Sequence, residues 1–355
     1  MSKLRAAIVG ATGMAGQQYV QALSNHPMFE VVQMVTSKAR KTYKEALLEA
    51  DGASRWSHST DVPEDMADVP VVSSDDFHPE QMDVIFTAVE SDLAKELEPR
   101  FGRTTPTFST ASAFRYEADT PLMLAGVNNE HAEYIRRQQE KRGWNGFVLA
   151  IPNCTVTGLS ITLKPLQQAF GVSKVLMVSM QAVSGAGRSP GVRTLDISDN
   201  IVPYIPTEEE KVKTELRKIL GTYDGQQITP AEIDVNCICT RANVLDGHTE
   251  AVFVGLKTQA SVDEAKQVLR NYNPYKENKL PSAPEEWIRV FDDPFRPQVR
   301  LDRHRGDGMT TSIGRVELEP ILGGIKYLLV SHNTKMGAGK GAVLLAETLV
   351  HKELL

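Results

Sequence analysis

Nowhere in the 355 residues is there an apolar run approaching the ~18 that a membrane-spanning helix needs. The apolar stretch near the start follows Lys3 and Arg5, but Gly10 and Gly13 end it too soon for a signal peptide. A soluble protein with no membrane partner is expected. Cysteine is scarce as well. The three present, Cys154, Cys237 and Cys239, suit a reducing cytoplasm. Cys237 and Cys239 stand two apart on an expected strand and share a face, with no second pair or nearby histidine at zinc spacing. Core packing is the better reading for both, and no metal site is expected. Excess positive charge is missing too: a formal charge of −6 argues against nucleic acid as the main partner. Any anionic ligand must then be met locally by a few placed arginines and lysines. There is no internal repeat and no low-complexity segment, and residues 138–143 read as a charged surface stretch.

What is present is a chain long enough for two domains. Its hydrophobic content of 41% and charged content of 24% are near the globular average, so it should fold. The first ~150 residues alternate short apolar runs with helical stretches, the α/β pattern of a parallel sheet with crossover helices. The expected strands are residues 6–9, 31–35, 69–72, 83–88 and 147–150, with a helix over 14–23. Their uniformly apolar character fits burial on both faces. After Cys154 the strands lengthen, at 174–183, 233–240, 249–257, 312–319 and 325–331, several with alternating patterns. Gly323-Gly324 reads as part of a hairpin connection. An α+β second domain with a mostly antiparallel sheet follows. The division expected is residues 1–153, joined by a C-terminal helix at about 335–355, against residues 154–334.

Gly10-Ala11-Thr12-Gly13-Met14-Ala15-Gly16 lies between the first strand and the first helix. Glycines there let a backbone approach a pyrophosphate, and a helix N-terminus offers free N–H groups and the positive end of its dipole. Such turns also serve plain helix–strand packing, but the βαβ context favours a dinucleotide. The end of the second strand selects which one. An NAD enzyme usually carries an acidic residue there for the ribose hydroxyls, whereas this chain reads Thr36-Ser37-Lys38-Ala39-Arg40-Lys41. A hydroxyl and three cations suit a 2′-phosphate, so NADP is the expected cofactor. A solvated basic turn is the bland alternative.

Pro152-Asn153-Cys154-Thr155 follows an apolar strand and precedes an apolar segment, 156–170, that should be helical. A cysteine at a helix N-terminus has its thiolate stabilised by the dipole and free N–H groups, which makes a nucleophile. An inert buried thiol is the competing reading. A base is then wanted, and Asp246-Gly247-His248 sits in a turn before a strand. An unperturbed imidazole suits proton transfer near neutrality, although most of the eight histidines must be surface or structural.

Gly10–Gly16, Pro152–Thr155, Gln181-Ala182-Val183-Ser184-Gly185-Ala186-Gly187, Glu208-Glu209-Glu210-Lys211 and residues 241–248 together resemble aspartate-semialdehyde dehydrogenase, its archaeal and fungal branch most of all. The likeness spans essentially the whole chain. It implies NADPH-dependent reduction of L-aspartyl 4-phosphate to L-aspartate 4-semialdehyde and phosphate through a Cys154 thioester. That step serves the biosynthesis of lysine, threonine, methionine and isoleucine. By the same resemblance His248 is the acid/base and Gln181 helps hold the acyl group. Asn153 and Arg241 bind substrate, Arg241 clamping its carboxylate. Glu208 receives the amine, and Lys211 with Arg115 binds phosphate. Gly10, Thr12, Gly13, Met14, Ala15, Ser37 and Lys38 hold one end of the cofactor. Ser184, Gly185, Asn333 and Thr334 lie at its nicotinamide end. A homodimer or homotetramer is implied.

Taken alone, Glu208 and Lys211 read as an ordinary surface salt bridge on one helix face. The chain departs from the family pattern at Ser109-Thr110-Ala111-Ser112 and at Leu124-Ala125-Gly126-Val127-Asn128, both flanking the expected phosphate pocket. Rival readings are a related acyl-phosphate or acyl-CoA reductase, such as malonyl-CoA reductase, and a non-catalytic NADP-binding sensor. A Tyr-x-x-x-Lys pair also exists at Tyr272 and Lys276, but Pro274 breaks the helix that it would need.

Overall fold

The computed structural model describes residues 2–187 and 191–355. It divides into two compact units, one of residues up to Met123 with Glu130–Ile151 and Ala338–Leu355, the other of Leu124–Asn129 with Pro152–Gly337. Among the described residues no helix is long and apolar enough to cross a membrane.

The first unit holds β1 (Leu4–Val9), β2 (Phe29–Thr36), β3 (Val71–Ser73), β4 (Val84–Thr87), β5 (Thr107–Ser109) and β6 (Val148–Ala150). They form one six-stranded sheet in the order β3-β2-β1-β4-β5-β6, all parallel. Strand order reverses beside β1, the point at which open α/β sheets bind ligands beyond their strand ends. The glycine turn after β1 is forced by packing. Gly10 has φ +79°, and a Cβ there would stand 2.4 Å from the carbonyl oxygen of Ala88. At Gly16 a Cβ would meet the carbonyl oxygen of Gly10 at 2.1 Å, so only glycine lets the helix Met14–Leu23 start this close to the strand.

The C-terminal helix Gly339–His351 packs on Met14–Leu23 in this unit. His26 donates from Nε2 to Glu347 Oε1 at 2.8 Å, both side chains buried, while Met28 N donates to its Nδ1 at 3.2 Å. Residues 138–143, expected at the surface, are exposed or half-buried with the exception of Gln138. They end the helix Tyr134–Arg142, and Gln138 is fully buried. Its amide accepts from Val148 N at 2.7 Å and donates to Val148 O at 2.9 Å, satisfying the free edge of β6.

The second unit contains β7 (Val172–Gln181), β8 (Ile201–Val202), β9 (Thr222–Tyr223), β10 (Ile228–Thr229), β11 (Asp234–Ala242), β12 (His248–Leu256), β13 (Ile288–Val290), β14 (Thr311–Glu319) and β15 (Gly324–Ser331). β9 and β10 pair as a small hairpin, and the rest form a seven-stranded sheet, β13-β14-β15-β12-β7-β11-β8. This sheet is mixed: β13–β14 and β7–β11 run parallel, and the other neighbours run antiparallel. The reason is that β7 and β11 are joined through the helix Glu208–Ile219, a crossover that returns the chain in the same direction. Residues 124–129 belong to this unit: Gly126, at φ +75°, lies against Trp287 and Pro274. The helices Cys154–Phe170, Glu208–Ile219 and Val262–Asn271 pack on the sheet. Side chains on β7 alternate sharply, with Val175 and Met177 buried but Leu176 and Val178 exposed.

One carboxyl in the first unit generates a measurable signature. Glu98 Oε1 accepts from Thr87 Oγ1 at 2.6 Å and Ser109 Oγ at 2.7 Å, while burial pushes its pKa up to about 7. The folded chain therefore keeps a proton that the unfolded chain has released across the window from the usual carboxylate range to about 7, and stability falls as pH rises through it. Glu98→Gln is expected to be more stable than the parent at pH 8 by up to ~3 kcal/mol and close to it at pH 5, read from urea unfolding. An equal difference at both pH values would remove Glu98 as the cause.

Candidate active site

The second unit brings Cys154, His248, Gln181, Arg241 and Glu208 together, and strand register does most of the placing. Arg241 on β11 is paired with Gln181 on β7, and Thr249 on β12 with Met180. Gln181, Arg241 and His248 thus come from three adjacent strands. All three are buried, at 1%, 7% and 1% exposure. Cys154 opens the helix Cys154–Phe170, and its Sγ lies 3.1 Å from His248 Nε2. The sulfur is partly exposed, unlike Cys237 and Cys239, which are buried.

The backbone just beyond β7 orients two of these side chains. Ala182 N donates to His248 Nδ1 at 3.1 Å, and Arg241 Nη1 donates to Ala182 O at 2.8 Å. Because Nδ1 accepts a backbone hydrogen bond, the neutral ring carries its proton on Nε2, facing the sulfur. Burial, with the Arg241 guanidinium and His332 beside it, lowers the pKa of His248 to about 3. The sequence reading assumed an imidazole near its ordinary value. The structure instead holds a neutral ring, because a second positive charge is costly in a buried site that already contains Arg241. Burial lowers the pKa of Arg241 as well, the charges of Cys154 and Glu208 opposing it, yet a guanidinium remains protonated.

Asn153 caps the nucleophile's helix. Its Oδ1 accepts from Thr155 N at 2.9 Å, and its Nδ2 donates to Glu208 Oε1 at 3.0 Å. Thr155 Oγ1 donates to the same Glu208 oxygen at 3.2 Å. Glu208 is only 5% exposed, so the surface reading of the Glu208–Lys211 pair fails for the glutamate. Lys211 Nζ stands 3.5 Å from Glu208 Oε2, one turn along the same helix. Gln181 Nε2 donates to Ser179 Oγ at 3.2 Å.

Asn333 joins two loops of this unit. It donates from Nδ2 to Ser184 Oγ at 2.9 Å and accepts at Oδ1 from Gly247 N at 2.8 Å, next to His248. Thr334 Oγ1 lies 3.4 Å from His332 Nδ1. A Cβ on Gly185 would stand 3.0 Å from Arg241 Nη1 and 3.4 Å from the His248 ring, so glycine keeps the space over both open.

The remaining expected residues belong to the first unit. Thr12 O accepts from Gln17 Nε2 at 3.0 Å. Gly13 is the N-cap of Met14–Leu23 and supplies no side chain to it, which leaves the N–H groups of the first turn, Met14 and Ala15 included, for a ligand. Ser37, Lys38, Arg40 and Lys41 are exposed beyond β2, and Thr36 Oγ1 donates to Lys38 O at 2.8 Å. Glycines that no Cβ could replace, an uncapped helix end and a basic strand end together fit a dinucleotide with a 2′-phosphate. Arg115 is buried, with Nη2 donating to Thr110 O at 2.7 Å.

Three contributors escaped the sequence reading. Tyr43 donates from its hydroxyl to Ala11 O at 2.8 Å and props the glycine turn. Glu215, fully buried, accepts from Asn153 N at 2.6 Å. Glu250 lies two residues after His248, both oxygens lacking a hydrogen-bond partner among the described residues, and burial holds it protonated well above the carboxylate range. Of these only Glu215 had a signal in the sequence, its spacing of two helical turns from Glu208.

A family model described as the NAD binding domain of semialdehyde dehydrogenase matches residues 5–135, and one described as its dimerisation domain matches residues 163–336. Aspartate-semialdehyde dehydrogenase of Archaeoglobus fulgidus is 41% identical over 98% of both chains. That of Methanothermobacter thermautotrophicus is 38% identical over 96% of this chain and 97% of its own. Among solved structures, the Candida albicans aspartate-semialdehyde dehydrogenase with NADP superposes with a TM-score of 0.88 at 35% identity, covering 100% of both chains. With such likeness along its whole length, this chain belongs to the aspartate-semialdehyde dehydrogenase family.

Proposed function

We propose that this protein is an NADP-dependent oxidoreductase that reduces L-aspartyl 4-phosphate to L-aspartate 4-semialdehyde and phosphate, a step of amino-acid biosynthesis, with Cys154 as nucleophile. The observation that carries this reading is the 3.1 Å approach of Cys154 Sγ to a buried His248 at a helix N-terminus, in a chain of this family. The Cys154 thiolate attacks the acyl carbonyl. A carbon–sulfur bond forms, the carbon–oxygen bond to phosphate breaks, and phosphate leaves with that electron pair. When bound, NADPH supplies the hydride that reduces the thioester carbonyl. Collapse of the resulting adduct breaks the carbon–sulfur bond and returns its electron pair to sulfur, so the thiolate is regenerated as the aldehyde departs.

In this cycle His248 donates from Nε2 to the sulfur and to the oxygen that bears charge in the adduct. Arg241 has one Nη1 bond committed to Ala182 O, and its remaining donors form the planar fork that matches the substrate carboxylate. Glu208 receives the ammonium, Gln181 and Asn153 position the acyl group, and Lys211 with Arg115 meets the phosphate. Gly10, Thr12, Gly13, Met14 and Ala15 hold the cofactor's pyrophosphate, while Ser37 and Lys38 hold its 2′-phosphate. Ser184, Gly185, Asn333 and Thr334 form the nicotinamide end. A substrate with one ammonium, one carboxylate and one phosphate calls for this one-anion, several-cation set. Malonyl-CoA has no amine for Glu208 to meet. The three free thiols suit a reducing cytoplasm.

A second copy of this chain covers the open face of the mixed sheet. Leu176, Val178 and Ile238 are 44%, 38% and 56% exposed there, a patch of the kind that marks an interface, within the span matched by the dimerisation model.

Replacing the nucleophile gives the first test. Cys154→Ser is expected to lower phosphate-dependent NADPH formation from aspartate semialdehyde by roughly a thousandfold or more while NADPH binding persists. The parent should yield an acyl adduct on Cys154 by mass spectrometry, and undiminished turnover of the serine variant excludes the mechanism.

Titration gives the second. With its folded pKa near 3 below the ordinary 6.5, His248 refuses a proton that the unfolded chain accepts, so this group's contribution to stability is lost as pH falls through that interval. Nitrogen NMR of histidine-labelled protein should show Nε2 protonated and Nδ1 bare throughout about pH 5 to 8. An imidazolium signal emerging near 6.5 at this residue argues the other way.

Disrupting the sheet face gives the third. Ile238→Lys is expected to shift sedimentation toward the monomer, and an unchanged oligomer moves the interface elsewhere.

A further inference from the structure

We infer that Glu215 is a positioning residue for the nucleophile: it closes, from a second helix, the cap that the Cys154 helix cannot close for itself. The inference rests on Cys154 being the reacting sulfur. A helix start leaves backbone N–H groups without intrahelical acceptors, and a capping box satisfies two of them reciprocally. The cap side chain accepts from a backbone N–H in the first turn, and an acidic or amide side chain at the third helical position accepts from the cap residue's own N–H.

Here only the first half exists locally. Asn153 accepts from Thr155 N, but the third helical position is Val156, an apolar side chain with nothing to offer. Asn153 N is nonetheless satisfied, by Glu215 Oε2 at 2.6 Å. Glu215 is 0% exposed, so no water competes for that bond.

The helix that carries Glu215 contacts Asn153 twice. Glu208 takes the side-chain amide at 3.0 Å and Glu215, seven positions further along the same helix, takes the backbone N–H. Two turns of α-helix bring these positions to the same face. Val212, Leu216 and Ile219, all fully buried, seat that helix and so fix where its carboxylates point. Asn153 is therefore held at its N–H, its Nδ2 and its Oδ1, and its carbonyl accepts from Thr157 N at 3.1 Å and Thr157 Oγ1 at 3.2 Å. Cys154 follows directly, so the orientation of this one residue sets the direction in which the sulfur leaves the chain. Without an acceptor, Asn153 N becomes a buried unpaired donor, and the first turn relaxes to find another. The 3.1 Å approach of Sγ to Nε2 relaxes with it.

The test separates positioning from bulk stability. Glu215→Leu removes the acceptor, Glu215→Asp withdraws it by one methylene, and Glu215→Gln keeps an acceptor oxygen while discarding the charge. Leu269→Ala is the control, a core truncation on the helix Val262–Asn271, which carries no residue of the cap. Each folded variant is scored for kcat, for KM, for NADPH affinity and for the alkylation rate of Cys154 by iodoacetamide. Glu215→Leu is expected to lose about 10- to 100-fold in kcat and to alkylate more slowly, with NADPH affinity retained. Glu215→Asp should fall between it and the parent, Glu215→Gln should keep most of the parent's rates, and Leu269→Ala should react at the parent's rate per folded molecule. Parent-like kcat and alkylation in Glu215→Leu overturn the inference, as does an equal loss in Leu269→Ala. If Glu215→Leu yields no folded protein, parent-like values in Glu215→Asp overturn it instead. Full activity of Cys154→Ser would mark failure of the nucleophile reading itself, whereas an inactive Cys154→Ser beside a parent-like Glu215→Leu defeats only this inference.

Discussion

The backbone of Ala182 organises the catalytic unit. Its N–H holds the ring of His248 and its carbonyl holds the guanidinium of Arg241, so one residue at the end of β7 orients side chains from both neighbouring strands. Backbone groups have no rotamers, so the geometry they impose is as rigid as the sheet that carries them. That sheet's register matters accordingly. A slip of one residue between β7 and β12 would turn His248 to the opposite face, and the alternation of buried and exposed side chains on β7 opposes such a slip. The same alternation separates two faces, one buried under the helices, which carries Gln181, Arg241 and His248 at one end, and one that leaves Leu176, Val178 and Ile238 exposed.

Polar groups beneath those helices are satisfied unevenly, and the pattern has meaning. Asn153, Thr155, Glu208 and Glu215 form a closed set in which the carboxylates accept and the cap donates. Such a set is rigid because breaking any one bond strands a group in a medium of low dielectric. Glu250 is the opposite case. Burial keeps it protonated and its oxygens have no hydrogen-bond partner among the described residues, so it adds no negative charge near Glu208. A charged carboxylate at this position would favour the imidazolium that the rest of the site suppresses.

Much of this was legible beforehand, and the failures share a cause. Gly10, Gly13 and Gly16 were readable because only glycine fits the turn, and the strands on either side were readable from their apolar runs. Cys154 at a helix start was readable because Pro152 and Asn153 mark a helix boundary. What escaped depended on burial contributed by distant elements. Glu208 looks like a solvated acid among Glu209, Glu210 and Lys213, yet packing encloses it. Gln138 lies in a polar helix, yet β6 lies against it and uses its amide. Glu215 and Ala182 act by contacts to or from the main chain, for which no residue type is a marker. The neutral state of His248 follows first from burial and then from neighbours in separate strands and loops, Arg241 on β11 and His332 after β15, which local sequence cannot bring together.

A neutral histidine with its proton on Nε2 meets the sulfur as a hydrogen-bond donor. The sulfur enters the cycle as a thiolate and leaves it as a thiolate, and between those points it is bonded to carbon. No step delivers a proton to it. A group able to protonate sulfur would quench the nucleophile at the moment when collapse of the adduct regenerates it. Fixing Nδ1 on Ala182 N–H leaves Nε2–H as a donor, while burial beside Arg241 discourages the second proton that would make the ring a strong acid. A donor held in this way can stabilise negative charge on a neighbouring atom. The cap held by Glu208 and Glu215 fixes the start of the helix on which Cys154 stands, with its sulfur 3.1 Å from that donor.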